Sequence, residues 1–273
     1  MKTRFIAILA LSAFAALASA SEIAWSKSFA DASASAKESG RLVMVDFYTD
    51  WCGWCKRLDA TTFKDGKVVK QSEAYVAVKV DAEKEGTELA KKYEVSGFPT
   101  ILFLDGESVV GRINGYLAPS AWVDTVDMVL WAHKEAPKVA EALKSNPEDG
   151  DANASMAVIL GIRGQGGDAE AYLNKAVSAG YKGDKLAKAY NSVGDYYQME
   201  ANDPKKAIGY FAKAMAVGKT AADRSYARTS IMYCHMMAGD MAAAKKVAQE
   251  VMESKDSSKE DKELAQSVLK EEG

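Results

Sequence analysis

The 273-residue chain is 48% hydrophobic and 27% charged, with 35 basic residues against 38 acidic ones. That length holds one large domain or two small ones, and the apolar share is ordinary for a globular protein. The near balance of charge, with no Lys/Arg run of five or more, gives nucleic acid nothing to bind. Residues 1–20 read as a leader rather than as fold. Lys2 and Arg4 form a basic start, Phe5 to Leu17 an apolar stretch, and Ala18-Ser19-Ala20 a small-residue cleavage site before Ser21. The apolar run falls short of the roughly 20 residues that cross a bilayer, and no later stretch reaches that length. The expectation is a secretory signal peptide and an exported, periplasmic product with no membrane span in the mature chain. Ser21 is not Cys, which argues against a lipid anchor, and loss of Lys2 and Arg4 takes the net charge from -3 to -5.

After the leader, Trp25, Phe29, Ala32 and Ala36 recur at helical spacing within Ser21 to Gly40, and Gly40 marks a stop. Arg41 to Tyr48 is an apolar run that suits a strand buried on both faces. Cys52-Gly53-Trp54-Cys55 follows at once and opens a helix to about Phe63, so the cysteine pair sits where a strand ends and a helix begins. Ala74 to Asp81 predicts a second strand, Thr87 to Tyr93 a short helix, and Thr100 to Leu104 a third strand. Asp105-Gly106 turns the chain into a fourth strand, Ser108 to Ile113. Pro119 to His133 is a helix with Ala121, Trp122, Val126, Val129 and Leu130 as its apolar side. This order gives a small α/β sandwich with a mixed sheet over 21–135.

From Ala136 onward strand-like runs vanish. Asn146-Pro147-Glu148-Asp149-Gly150 is a breaker cluster, so 136–150 reads as a linker, with Pro137 placed to start a connecting helix. Residues 151–273 read as helix pairs: Ala154 to Arg163 with Ala169 to Ala179, Leu186 to Met199 with Lys205 to Val217, and Ala222 to Met237 with Met241 to Met252. Gly161, Gly194 and Ser230 recur at gaps of 33 and 36 residues. Tyr190, Val193, Gly194, Tyr197, Ala207, Phe211 and Ala214 resemble the tetratricopeptide pattern; the other two units are degenerate, and an ordinary helical bundle stays open.

The chain has three cysteines, Cys52, Cys55 and Cys234. A structural disulfide framework needs more of them at wider spacing. A c-type haem site needs His after the second Cys, where Lys56 stands. A zinc site needs about four ligands, and His133, Cys234 and His235 are remote in sequence. Dithiol redox chemistry remains, with no metal and no cofactor. Cys234 reads as a small buried apolar residue, both histidines as structural, and Met232, Met236, Met237 and Met241 as core.

Val45-Asp46-Phe47-Tyr48-Thr49-Asp50-Trp51-Cys52-Gly53-Trp54-Cys55-Lys56 is similar to the active-site stretch of the thioredoxin-fold family. Val95-Ser96-Gly97-Phe98-Pro99-Thr100 resembles its cis-proline segment, and Gly115 its loop glycine. The N-terminal helix, with Thr62-Phe63 after the motif, is closer to the exported thioredoxin-like domains of membrane electron transporters than to cytosolic thioredoxin. A thiolate at a helix N-terminus is stabilised by backbone N–H groups and the helix dipole, so Cys52 is expected as nucleophile and Cys55 as the resolving thiol. The resemblance implies Asp46 as a buried acid that deprotonates Cys55, Lys79 near it, and Pro99 beside the dithiol where substrate pairs. It implies Trp51 packed, Trp54 exposed as a substrate contact, and Phe98, Gly115 and Tyr116 on the substrate-binding rim. Gly53-Trp54 matches neither the Gly-Pro of thioredoxin nor the Pro-His of strong oxidants, which points to a reducing or intermediate potential. The expected activity is reduction or isomerisation of protein disulfides. Its partners are protein or small thiol and disulfide substrates, an upstream thiol electron donor, and a protein held by the helical repeats. The rival reading is an adaptor whose repeats recruit a protein, with the thioredoxin fold as a redox sensor or structural element.

Overall fold

The computed structural model describes residues 22–270; the leader expected over 1–20 lies outside them. The chain opens with a two-residue strand β1 (Trp25–Ser26) and helix α1 (Phe29–Ser39). Ser28 caps α1 by accepting the Asp31 N–H, and Gly40 ends it in the left-handed conformation at φ 66°. Strand β2 (Leu42–Tyr48) leads into α2 (Gly53–Ala60), a 3-10 turn at Thr62–Lys64 and α3 (Gly66–Gln71). Then come β3 (Tyr75–Asp81), α4 (Thr87–Lys92), β4 (Thr100–Asp105), β5 (Ser108–Asn114) and α5 (Pro119–Ser145). The strands make one mixed sheet in the order β1-β3-β2-β4-β5, with β1 and β2 parallel to β3, and β4 antiparallel to both β2 and β5. Strand alternation sorts the core into two layers. Val43, Val45, Phe47, Val76, Val78 and Val80 pack with Ala32, Ala36, Ala90 and Tyr93 of α1 and α4. Leu42, Met44, Tyr75 and Ala77 pack on the other face with Leu58, Phe63, Val68, Trp122, Val126 and Val129 of α2, the 3-10 turn, α3 and α5.

β1 was hidden in the sequence because two residues carry no periodicity; only pairing of Trp25 with Ala77 and Ser26 with Val78 defines it. The expected linker over 136–150 is corrected in part. α5 runs through Pro137 to Ser145, so Pro137 lies inside a helix rather than at the start of one. Proline removes one helical hydrogen bond at a cost of about 3 kcal/mol. Packing at both ends offsets this: Trp122, Val126 and Val129 sit on the sheet, while Ala132 and Val139 pack with Ala152 and Ile159 of the next helix. Only 146–149 separates the two helices.

The rest is helical: α6 (Gly150–Ile162), α7 (Gly166–Ser178), α8 (Lys185–Met199), α9 (Pro204–Val217), α10 (Ala221–Met237), α11 (Met241–Glu253) and α12 (Lys259–Lys270). Asp149, Asp203, Thr220 and Asp240 cap α6, α9, α10 and α11 with their side chains. Each of α6 to α11 packs on the helix after it, and α6 also packs on α8, α5 and β5. Gly161 and Gly194, 33 residues apart, fall at helix crossings, but not at the same kind of crossing. A Cβ on Gly161 would lie 2.2 Å from Ser192 of α8, whereas one on Gly194 would lie 2.7 Å from the buried Phe211 ring of α9. Gly194→Ala is expected to cost about 1–3 kcal/mol, the usual penalty of overpacking a close-packed core, read as a lower urea midpoint at constant slope. α12 escaped the sequence reading because its polar face outweighs the buried pair Ala265 and Val268.

Candidate active site

β2 delivers the chain to the sheet's end, where Cys52 becomes the N-cap of α2. Its Sγ accepts the Cys55 backbone N–H at 3.0 Å, its N–H donates to Thr49 O at 3.1 Å, and its carbonyl accepts from Lys56 N at 3.2 Å. The sulfur therefore sits at the positive end of a helix dipole, on a donor that an anion strengthens. Cys52 and Cys55 form a disulfide of 2.09 Å, and both residues are at most 4% exposed.

The expected rim residues converge around this pair. Phe98–Pro99 is a cis peptide bond. Pro99 O accepts the Gly115 N–H at 2.8 Å, and Gly115 holds φ 86°, which favours glycine. The Phe98 ring meets the Trp51 indole edge-on at 5.9 Å, and Trp54 meets Tyr116 at 5.7 Å. Sequence reasoning missed Arg57, whose guanidinium lies 5.3 Å from the Trp54 ring and 4.9 Å from the Tyr116 ring. The signal for it was present: Arg57 follows Trp54 by three residues on a helix, so the two share a face. Trp51 overturns an expectation. It is not packed but 67% exposed, more than Trp54 at 55%. Its indole N–H donates to the Glu83 carboxylate at 3.0 and 3.1 Å, so a surface hydrogen bond and the Phe98 edge hold it where burial does not.

Asp46 lies inside, on the sheet face that α2 covers. It is 1% exposed and pairs in register with Lys79 of β3, whose Nζ reaches Asp46 Oδ2 at 2.6 Å. The same Nζ binds Asp59 Oδ1 at 2.7 Å. Asp59 was also missed; it follows Cys55 by one helical turn, which turns it toward the same side. Lys79 is thus shared between two carboxylates, and it sits over the rings of Trp25, Tyr48 and Phe63 at 5.0 to 5.3 Å. A cleft of about 250 Å³ lined by Glu22, Trp25, Asp59, Lys64 and Lys79 opens this end of the pair to solvent. Burial raises the Asp46 pKa, and the Lys79 charge only partly opposes it. Burial also pushes Lys79 down, but the Asp46 and Asp59 carboxylates outweigh that and leave it above the usual lysine value. Asp46 Oδ1 has no partner within the protein.

A raised carboxyl pKa has a definite sign for stability. Below the ordinary carboxylate range, folded and unfolded chains both hold the proton. As pH rises the unfolded chain releases it first, and stability is lost up to the folded-state pKa. Asp46→Asn removes that loss. At pH 8 its Tm is expected to exceed that of the parent, read by thermal melts of both proteins across pH. The gap should close as pH falls below the carboxylate range, and a gap constant with pH would contradict the assignment.

Among the described residues no group of three or more His, Cys, Asp or Glu is arranged to hold a metal. Cys234 is fully buried, and burial pushes its thiol up to about 12, which leaves it an unreactive thiol. Met232 is buried in a cluster with Met236 and Met241, while Met237 is 47% exposed and does not belong to the core.

The model for a family described as a thioredoxin-like domain matches residues 29–129. Thiol:disulfide interchange protein DsbD of Yersinia pestis is 38% identical over 88 residues, 30% of this chain and 15% of that protein. Protein disulfide isomerase-like 2-1 of Oryza sativa subsp. japonica is 51% identical over 70 residues, 26% of this chain and 19% of that one. The chain thus spans less than a fifth of the length of these relatives. A solved structure, a putative disulphide-isomerase from Bacteroides thetaiotaomicron, is 40% identical; the match covers 41% of this chain and 95% of that one, with a TM-score of 0.36. The relatives carry thiol–disulfide names, and this chain has Cys52 and Cys55 bonded at a separation of three residues beside a mixed sheet. Residues 29–129 are therefore a thioredoxin-like domain, followed in this protein by a helical region.

Proposed function

We propose that this protein is an exported thiol–disulfide oxidoreductase that reduces or isomerises protein disulfides through Cys52 and Cys55. The observation that carries the reading is the seat of Cys52: its sulfur caps α2 and accepts the Cys55 N–H, the environment that stabilises a thiolate. In the reduced protein the Cys52 thiolate attacks one sulfur of a substrate disulfide and displaces the other as a thiolate. A mixed disulfide forms. Cys55 loses its proton and attacks Cys52 Sγ, which releases the first substrate sulfur and closes the Cys52–Cys55 disulfide. Two electrons have passed to the substrate, and a dithiol donor returns them. Asp46 is the base for Cys55, reached from solvent past Lys79 and Asp59. Phe98 and Pro99 offer backbone to the substrate, Gly115 holds that segment, and Trp51 and Trp54 flank the entry.

Export rests on the leader-like residues 1–20, with Lys2 and Arg4 ahead of an apolar stretch. Among the described residues no helix is long and apolar enough to cross a membrane. The 151–273 segment is proposed as tetratricopeptide-like repeats, supported by Gly194 against Phe211 in α8 and α9. The direction of electron flow is read by equilibrating the protein with glutathione buffers and quantifying free thiols. A potential near about -270 mV identifies a reductase, and one near about -120 mV an oxidase. The intervening Gly53-Trp54 leads us to expect the reducing half of that range. Failure of the cysteine pair to exchange with glutathione at any ratio would sink the redox reading.

A further inference from the structure

We propose that Arg57 selects the substrate: it receives a carboxylate lying within a residue or two of the attacked sulfur, so that disulfides flanked by acidic groups exchange in preference to neutral or cationic ones. The proposal rests on the oxidoreductase reading above and names the class of disulfide it acts on.

Arg57 stands on the helix that carries both cysteines, two residues after Cys55. From Cys52 to Arg57 the helix advances about 7.5 Å, and helical side chains lean back toward the N-terminus. The contacts of Arg57 follow that lean. Its guanidinium carbon lies 5.3 Å from the ring of Trp54, the residue before Cys55, and 4.9 Å from the ring of Tyr116. The two rings are themselves 5.7 Å apart. The three groups therefore form a nearly equilateral triangle, with the cation resting against both rings. Thr61 ties the triangle together: its hydroxyl donates to Arg57 O at 2.7 Å and lies 3.2 Å from Tyr116 OH. A guanidinium seated by packing loses less freedom when it takes up a ligand.

The charge of Arg57 has no carboxylate to meet. The residue is exposed, and among the described residues it forms no ion pair. The acidic groups nearby are already engaged. Lys84 binds Asp50 at 2.7 Å and Asp81 at 2.8 Å, Lys79 binds Asp59 at 2.7 Å, and the Trp51 indole donates to Glu83. Lys56, the neighbour of Arg57, is also exposed and without an ion pair. In a chain of net charge -3, the unpaired charges on this turn of α2 are thus positive. Aromatic faces attract the guanidinium charge, but they leave its fork of N–H donors without an acceptor. A carboxylate is the planar anion that fits such a fork. Thiol compounds built from cysteine carry carboxylates at their own ends or on adjoining acidic residues. An extended chain advances about 3.3–3.6 Å per residue, which brings a carboxylate one or two residues from the attacked sulfur within reach of Arg57.

The test uses the full chain and three small disulfides of similar length: anionic dithiodipropionate, neutral hydroxyethyl disulfide and cationic cystamine. The readout is each charged disulfide's kcat/KM divided by that of the neutral one. In Arg57→Met, whose unbranched stem still covers both rings, the dithiodipropionate ratio is expected to fall about fivefold, the upper end for an exposed ion pair, and the cystamine ratio to rise. Changes in the dithiol itself cancel in these ratios. Arg57→Lys keeps the charge without the fork and is expected to lose less. About 1 M salt is expected to shrink the parent's preference and to leave the Arg57→Met ratios nearly constant. Disulfide-linked dimers of the end-blocked peptides Gly-Cys-Glu and Gly-Cys-Lys repeat the comparison in polypeptide. A shift confined to the peptides assigns the carboxylate to protein substrates, one confined to the small disulfides assigns it to small thiols, and either supports the proposal. Ratios that do not move in Arg57→Met, or that move equally in Lys56→Met, overturn it while the oxidoreductase reading stands. If the parent protein exchanges with none of these disulfides, both fall together.

Discussion

Cys52→Ser is expected to lower kcat/KM for insulin reduction by at least about a thousandfold, close to 4 kcal/mol of transition-state stabilisation, while the fold survives. Serine has the same shape and is a favoured N-cap, so its hydroxyl can take over the hydrogen bond from Cys55 N that now ends on Cys52 Sγ at 3.0 Å. The disulfide lost with Cys52 closes only a three-residue separation, and short loops contribute least to stability through chain entropy. The loss is therefore chemical: a hydroxyl does not ionise near neutral pH and does not exchange with a disulfide, as a thiolate does. Cys55→Ser should behave differently. Its attacking sulfur remains, so it should accumulate a mixed disulfide with substrate, visible as an added mass that a thiol reductant removes. Wild-type rates from Cys52→Ser, or no adduct on Cys55→Ser, would remove the assigned roles. A stable adduct on Cys52→Ser instead would exchange them.

Trp122→Ala is expected to be the most destabilising single substitution in the thioredoxin-like domain, at about 3–5 kcal/mol. Trp122 is fully buried on α5 and meets Phe63 edge-on at 5.0 Å; Phe63 in turn meets Trp25 at 5.2 Å. Removing the indole empties a space between helix and sheet that the flanking Val126 and Val129 are too short to fill. At roughly 2–4 °C per kcal/mol for a protein of this size, Tm should drop by roughly 6–20 °C. The same residue connects to the site, because Phe63 follows directly from α2, and both α2 and Phe63 face Lys79. Below its melting temperature the variant should keep the dithiol's activity, since Trp122 is remote from the sulfurs in chemistry. Its urea midpoint should fall with no change in slope.

The two substitutions separate what sequence and structure each contribute. The apolar run from Arg41 to Tyr48 and the turn at Asp105-Gly106 made the strands legible one by one. The cysteine pair, Pro99 and Asp46 were legible as local patterns whose chemistry depends on residue type and short spacing. Asp149 was legible only as part of a breaker cluster, and the structure makes it the cap of α6. Where neighbouring signals conflicted, the sequence misled: Pro137 reads as a boundary, yet packing on both sides carries α5 through it. Trp51 reads as packed, yet an exposed hydrogen bond to Glu83, 32 residues away, sets its position.

What the sequence by itself determined is the mixed α/β domain, the helical region after it, and a dithiol at a helix start, each the product of residues close together in the chain. Only the tertiary structure decided that Lys79 is shared between Asp46 and Asp59 and that Arg57 lies over the Tyr116 ring. These contacts join residues tens of positions apart. Periodicity, capping and motif spacing act over a few residues, so they give no information about such pairs. Sheet register and the route of α5 into the helical region brought them together, and those are fixed by packing of the whole chain.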